Sequence, residues 1–381
     1  MHELFHKMGM EVPIFGFSHC RDVVVALGKA GGLGVYGAAL HDDATIATDI
    51  RWIEEQLGDK PYGIDLLMPE RYVGSETGGL DVEDARARIP QVYKTFLDDM
   101  MVRYEVPEFE GWDREESAEF AGGQRYTAQQ AVGVLEQVFS SRCRLLVSAL
   151  GTPPSWVVEK AHEQGRYVAA LAGRAKHAMK HRDAGVDIVI AQSYEAAGHT
   201  GEIGAMVLWP QVVDAVAPLP VLAAGGIADG RQMAAAMALG AAGVWCGTVW
   251  LTTVESECTP IIRKKLLRAS SEDTVRTKAF TGKPCRFLRT AWVNEWEREG
   301  APPTLPNPLQ TIATRAYRRR IDRAANSGRL GPDEGAGALI SMPTGQVIGM
   351  LNEETSVKAV VTNMSEQYVN VVAGMYDSFE D

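Results

Sequence analysis

A histidine lies between glycines in Glu195-Ala196-Ala197-Gly198-His199-Thr200-Gly201, directly after an apolar run at residues 186–191. A run of that length and composition predicts a buried strand, which puts the histidine on the loop at the strand's C-terminal end. An imidazole there can move a proton near neutral pH, so His199 is the candidate general acid or base. A surface or capping histidine is the plain alternative. Further on, apolar runs at 219–224 and 242–246 end in Gly225-Gly226 and Gly247-Thr248. Glycine lets a ligand approach the backbone, and free N–H groups after two consecutive strands suit a phosphate. Between those runs, residues 229–239 read as a helix that Asp229 caps, with Arg231 just behind it. Turn chemistry alone would also place Gly-Gly after a strand.

Such residues need a scaffold that brings several strand ends to one face. Strands are expected at 12–17, 33–36, 62–67, 144–150, 167–171, 186–190, 219–224 and 242–246, with helical patterns between them. Strand and helix alternating in this way predict an α/β fold, specifically a (β/α)8 TIM barrel, in which the loops after strands seven and eight form the usual phosphate site. A doubly wound sheet would put its glycine-rich turn after the first strand, and residues 28–34 lack that spacing. Residues 69–126 interrupt the repeat after strand three, with a helix expected at 81–101 and an acidic, aromatic segment around Trp112. Emerging on the catalytic face, this insertion reads as a lid or substrate wall, or as an oligomer contact. The expected partition is a barrel at 1–280 and a smaller, mainly helical C-terminal unit at 281–381. There Trp292 and Trp296 share a helix face and are expected to pack onto the barrel. Arg315 and its neighbours to Arg323 read as a solvated or subunit-facing face, and a helix at 356–371 closes the appendage.

Composition narrows the class. The chain has 381 residues, 46% of them hydrophobic, enough to bury a large core, and its net charge of −11 argues against a nucleic-acid partner. Five cysteines without a CxxC or a Cys/His cluster point to a reducing compartment and to no structural metal. The start, MHELFHKMGMEVPIF, lacks the basic and continuous apolar stretches of a signal peptide, and no run is long enough to span a bilayer. The expectation is a cytoplasmic protein with no membrane partner, as a monomer or a homo-oligomer. His19 and Cys20 are adjacent on the turn after strand one. They read either as a reactive thiolate–imidazole pair or as residues lining the site.

The segment from Gln192 through Gly198-His199-Thr200-Gly201, Ala224-Gly225-Gly226-Ile227-Ala228-Asp229 and Gly247-Thr248 to Glu255-Ser256 resembles the nitronate monooxygenase family of FMN-dependent barrels. The likeness extends to 30–34 and 60–65, and to the Thr281-Gly282-Lys283-Pro284 turn with Arg286-Phe287-Leu288-Arg289. Flavin-dependent enoyl-acyl-carrier-protein reductases are related to that family. The resemblance implies FMN as cofactor, electrons taken from a stabilised carbanion such as an alkyl nitronate, and reoxidation by O2. It implies His199 as the acid or base, or as a hydrogen-bond partner of the nitro oxygens. It also implies cofactor contacts at Phe15, Gly16, Phe17, Asp65, Ser148, Lys176, Gln192, Gly198, Ala224, Gly225, Gly226, Gly247 and Thr248.

Two positions depart from the family pattern. Phe17-Ser18-His19-Cys20 replaces a small, methionine-containing loop, and Asp65 stands where relatives often carry an asparagine facing the flavin. A carboxylate there would repel the negative charge of a reduced ring. A hydrogen bond to a neighbouring loop is the other reading of Asp65. Arg174 and Lys176 open the helix after strand five and could hold an anionic flavin edge or substrate group, or be ordinary exposed charges. A second enzymatic reading is a reductase or dehydrogenase that uses NAD(P)H on an enoyl thioester or a quinone. A third is a flavin-binding subunit without catalysis, against which both phosphate turns and His199 speak.

Overall fold

The computed structural model describes residues 1–66, 82–109 and 128–378, so the Trp112 segment of the insertion lies outside the described residues. Eight short strands close into a parallel barrel in sequence order: β1 Ile14–Ser18, β2 Leu33–Gly37, β3 Tyr62–Leu66, β4 Leu145–Ser148, β5 Tyr167–Ala172, β6 Ile188–Gln192, β7 Val221–Ala224 and β8 Gly243–Cys246. Closure runs through β8, where Phe15 faces Trp245 and Gly16 faces Cys246. The helices of the barrel region are α1 Glu3–Met8, α2 Arg21–Lys29, α3 Asp43–Leu57, the insertion pair α4 Val82–Ala87 and α5 Gln91–Arg103, then α6 Ala128–Ser140, α7 Ser155–Glu163, α8 Ala175–Asp183, α9 Ala205–Val216 and α10 Gly230–Ala238. The single helix expected at 81–101 is thus two. Pro90 sits extended at the N-cap of α5, and a proline both lacks an N–H and pushes the preceding residue out of helical geometry.

Strand side chains alternate between two layers. Phe15, Val35, Leu145, Val147, Ile190, Leu222 and Trp245 fill the barrel interior, while Ile14, Ile64, Leu146 and Val244 face the surrounding helices. Helix α1 plugs the N-terminal end of the barrel. Its Phe5 meets Phe15 edge-on at 5.0 Å, and burying such a ring contributes about 1.5–3 kcal/mol. Gly16 points outward, where a Cβ would fall 2.1 Å from Leu27 and 2.8 Å from the Trp250 ring nitrogen. Only glycine lets α2 sit this close to β1.

After the barrel come α11 Pro260–Arg268, the antiparallel pair β9 Thr274–Thr277 and β10 Cys285–Leu288, then α12 Ala291–Glu297, α13 Leu309–Ala325, α14 Gly335–Leu339 and α15 Val357–Asp377. All of these except α15 build a second core jointly with α5 of the insertion. Trp292 and Trp296 belong to it rather than to the barrel surface: Trp292 packs near Phe280, and Phe96 meets Trp296 edge-on at 4.9 Å. The insertion supplies the apolar face that the tryptophan pair needs.

Most of the basic stretch of α13 is packed, and of its arginines Arg323 alone is exposed. Burial lowers the pKa of Arg318, whose guanidinium stands 5.1 Å from the Phe280 ring centre, and Arg320 donates to the carbonyls of Val106 and Pro107. Long aliphatic stems let arginine cross apolar ground when its head finds carbonyls or rings. The closing helix α15 returns to the barrel instead of completing the appendage. Val357, Val360 and Met364 join the barrel's outer core, and α15 passes so close to Gly230 that a Cβ there would meet Met364 O at 2.4 Å. No described helix is long and apolar enough to cross a membrane.

Candidate active site

The last inward positions of the strands form the floor of the barrel mouth. They include Phe17, Gly37, Asp65, Gln192, Ala224 and Trp245, and neighbouring strands are held level by the register pairs Gly37–Asp65, Gln192–Ala224 and Ala224–Trp245. Phe17 lies roughly parallel to Trp245 with ring centres 6.1 Å apart. Asp65 is 3% exposed, and its Oδ1 has no hydrogen-bond partner among the described residues. Burial raises its pKa well above the usual carboxylate range, against a smaller opposing effect of the Ala149 N–H. Ser193 Oγ, next along from Gln192, is likewise buried and unpartnered.

The two glycine turns sit beside this floor. Gly225 and Gly226 have φ of 93° and 74°, the left-handed region that favours glycine. A Cβ on Gly225 would lie 2.5 Å from Ser193 Oγ, whereas one on Gly247 or Gly198 would meet nothing within 4 Å. Packing therefore demands glycine at 225, while Gly247 and Gly198 border open space. Asp229 caps α10 in a reciprocal box with Gln232, as the sequence suggests. Thr248 Oγ1 accepts a hydrogen bond from Gly345 N–H at 2.9 Å, and Gln346 N–H donates to Glu195 O at 3.0 Å. A loop of the second core is thereby joined to the loops after β6 and β8.

The histidine loop is held by the same core. Gly198 and Arg286 exchange backbone hydrogen bonds of 3.1 and 2.7 Å, so the loop lies alongside β10 as a short extra strand. The Arg286 side chain, 2% exposed, donates twice to Tyr194 O at 3.2 and 3.0 Å and stands 4.5 Å from the Tyr194 ring centre. At the hairpin tip, Thr281 Oγ1 lies 3.0 Å from His199 Nε2 and donates its own proton to Lys283 O at 3.1 Å. With that proton committed, the threonine oxygen accepts from Nε2–H, which leaves Nδ1 as the basic nitrogen. The ring keeps an open face toward solvent while protein crowds its other sides. That crowding and the nearby Lys283 charge push its pKa down to about 4, so the imidazole is neutral at pH 7.

Other candidate residues lie elsewhere. Phe15 is one layer deeper, against Phe5, and Gly16 faces α2. Ser148 turns out of the barrel interior and donates to Gly151 O at 2.9 Å. Lys176 is exposed on the first turn of α8, without an ion pair among the described residues, and Arg174 reaches Glu202 at 3.4 Å. His19 and Cys20 do not pair: His19 Nδ1 is 2.6 Å from Gly37 O, and the Cys20 thiol, its pKa raised by burial, points to Glu255 O at 3.3 Å. Thr281, Lys283 and Arg286 are the additions. The sequence marks them only as part of a turn and segment resembling the family's post-barrel region.

The nitronate monooxygenase family model matches residues 9–367. The chain belongs to the nitronate monooxygenase family. A Mycobacterium tuberculosis protein described as a monooxygenase is 49% identical over 365 residues, 96% of each chain. A Staphylococcus saprophyticus protein bearing the name nitronate monooxygenase is 31% identical over 81% of each chain. Among solved structures, nitroalkane oxidase of Streptomyces ansochromogenes superimposes with a TM-score of 0.78 at 24% identity, covering 98% of this chain and 99% of that one. FabK of Thermotoga maritima gives 0.69 at 24% identity over 99% of both. These two likenesses establish the shared barrel fold. Family membership makes the chain an oxidoreductase of the nitronate monooxygenase type, in a family of flavoenzymes.

Proposed function

We propose that this protein is an FMN-dependent oxidoreductase that oxidises an alkyl nitronate, or a similarly stabilised carbanion, with O2. The observation that carries the reading is His199: a neutral imidazole at the barrel mouth, its Nε2 proton committed to Thr281 and its Nδ1 basic. The residues present fit the cofactor. Space is open at Gly198 and Gly247, and buried polar atoms without partners, Asp65 Oδ1 and Ser193 Oγ, lie at the floor of the mouth and beside Gly225.

Gly225, Gly226, Gly247 and Thr248 would hold the FMN phosphate through their backbone N–H groups, as turns after late barrel strands do. Phe17, Asp65, Gln192 and Ala224 would lie against the ring. Bound flavin supplies the electron acceptor. His199 Nδ1 accepts the α-proton of a neutral nitroalkane, and the Lys283 ammonium beside it favours the resulting anion. Phe17 and Trp245 give that anion an apolar wall on which water competes poorly.

The test is anaerobic addition of propyl nitronate and, separately, of NADH or NADPH to the FMN-loaded protein, following the flavin spectrum. Bleaching by nitronate and not by nicotinamide is expected. Bleaching by nicotinamide alone would replace this reading with the reductase acting on an enoyl thioester or a quinone. His199→Asn is expected to lower turnover of nitroalkane roughly 10²–10⁴-fold with flavin still bound. Wild-type turnover in that variant would remove His199 from the chemistry.

A further inference from the structure

We propose that Asp65 works as an uncharged carboxylic acid, a hydrogen-bond donor aimed at the flavin ring from the floor of the mouth, and so does there what an amide would do. The inference rests on the FMN reading above. Asp65 occupies an inward position near the end of β3, between Gly37 of β2 and Val147 of β4. It is 3% exposed, Oδ1 is without a partner, and no ion pair to it exists among the described residues.

The described groups around it offer no compensating charge. From β2 comes a glycine whose carbonyl is already taken by His19 Nδ1, and burial lowers the pKa of that histidine, favouring its neutral form. From β4 comes Val147, and past the end of that strand the Ala149 N–H. An isolated carboxylate is strongly disfavoured in such a place, and a buried acid takes up a proton instead of remaining charged.

A protonated carboxyl carries one O–H donor and keeps a carbonyl acceptor, the same pair of functions that asparagine presents. Aimed at an acceptor on the ring edge, the O–H stabilises the negative charge that accumulates as the ring takes electrons. An ionised Asp65 would oppose that charge. The residue therefore helps reduction while remaining an aspartate.

The experiment is infrared difference spectroscopy of flavin-free protein at pH 7.5, wild type against Asp65→Asn. At that pH Asp322, with its pKa pushed up to about 6, is ionised, and carboxyl groups common to both proteins cancel in the difference. Wild type is expected to show a protonated-carboxyl C=O band that Asp65→Asn lacks. A difference spectrum with lost carboxylate bands and no carboxylic-acid band overturns the proposal. If Asp65→Asn does not fold, wild type grown with carboxyl-labelled aspartate decides the matter, because the label must shift a carboxylic-acid band at pH 7.5. In the FMN-loaded protein, Asp65→Asn is expected to leave the flavin midpoint potential near wild type. A large positive shift means that a charge was removed, and it also overturns the proposal. Failure to bind FMN sinks the functional reading and leaves the infrared result on Asp65 standing.

Discussion

Replacing Arg286 with methionine, of similar length and without charge, tests how the second core holds the histidine loop. The change removes both hydrogen bonds to Tyr194 O, one to Thr274 Oγ1 at 3.1 Å, and the guanidinium over the Tyr194 ring. A buried carbonyl left unpaired costs about 1–3 kcal/mol. The desolvated cation–ring contact adds about 2 kcal/mol. Against these, no carboxylate pairs with Arg286 among the described residues, so removing a buried cation returns part of its desolvation cost. The net loss is about 3 kcal/mol. At about 2.1 cal/mol/K of unfolding entropy per residue, a 381-residue chain then melts about 4 °C lower. The backbone bridge between Gly198 and residue 286 survives, so His199 stays near its place with its aim loosened. Misplacement of that order costs roughly 10–100-fold in turnover. Calorimetry and nitroalkane turnover with FMN bound read both effects. A melting point and a turnover both unchanged would refute the claim that this arginine fixes the loop.

Two further outcomes separate packing from function and fix a sign. Gly225→Ala must place a methyl 2.5 Å from Ser193 Oγ at a φ of 93° and is expected to destabilise by roughly 1–3 kcal/mol in urea unfolding, whereas Gly247→Ala meets open space and should fold as wild type while taking up FMN roughly tenfold more weakly or worse. His199 has a folded pKa of about 4 against an ordinary 6.5, so the unfolded chain binds more protons between those values: the stability the group contributes is complete above pH 6.5 and falls as pH drops toward 4, a loss that His199→Asn should reduce in melts across that range, with the acid limb of kcat/KM lying near 4 instead of 6.5.

The barrel was legible because its strands come from short apolar runs, several closed by glycine, and because helices separate them in a regular alternation. The inward or outward direction of a given side chain was harder to read. Phe15, Gly16 and Phe17 are consecutive, yet one packs on the basal plug, one on α2 and one at the mouth, because a shift of one residue in a strand exchanges its two faces. The Ser148 side chain turns away from the barrel interior for the same reason. The partners of His199 were invisible because Thr281 and Arg286 lie more than 80 residues away in sequence, and no local pattern encodes a backbone bridge between a loop and a later hairpin. The arginines of α13 looked solvated because composition records their charge and not the carbonyls and rings that receive them.

The second core ties distant stretches of chain to a common fate. Tyr93 of α5 donates to Pro303 O, Tyr317 of α13 donates to Asp98, and Phe96 closes on Trp296. Neither the insertion nor the tail presents a finished surface alone. The two form one packing unit written in two places: a chimera that kept the tail and lost α5 would bare the tryptophan side of α12. Residues 91–103 and the packed segments beyond residue 260 are therefore expected to be exchangeable between proteins only as a pair.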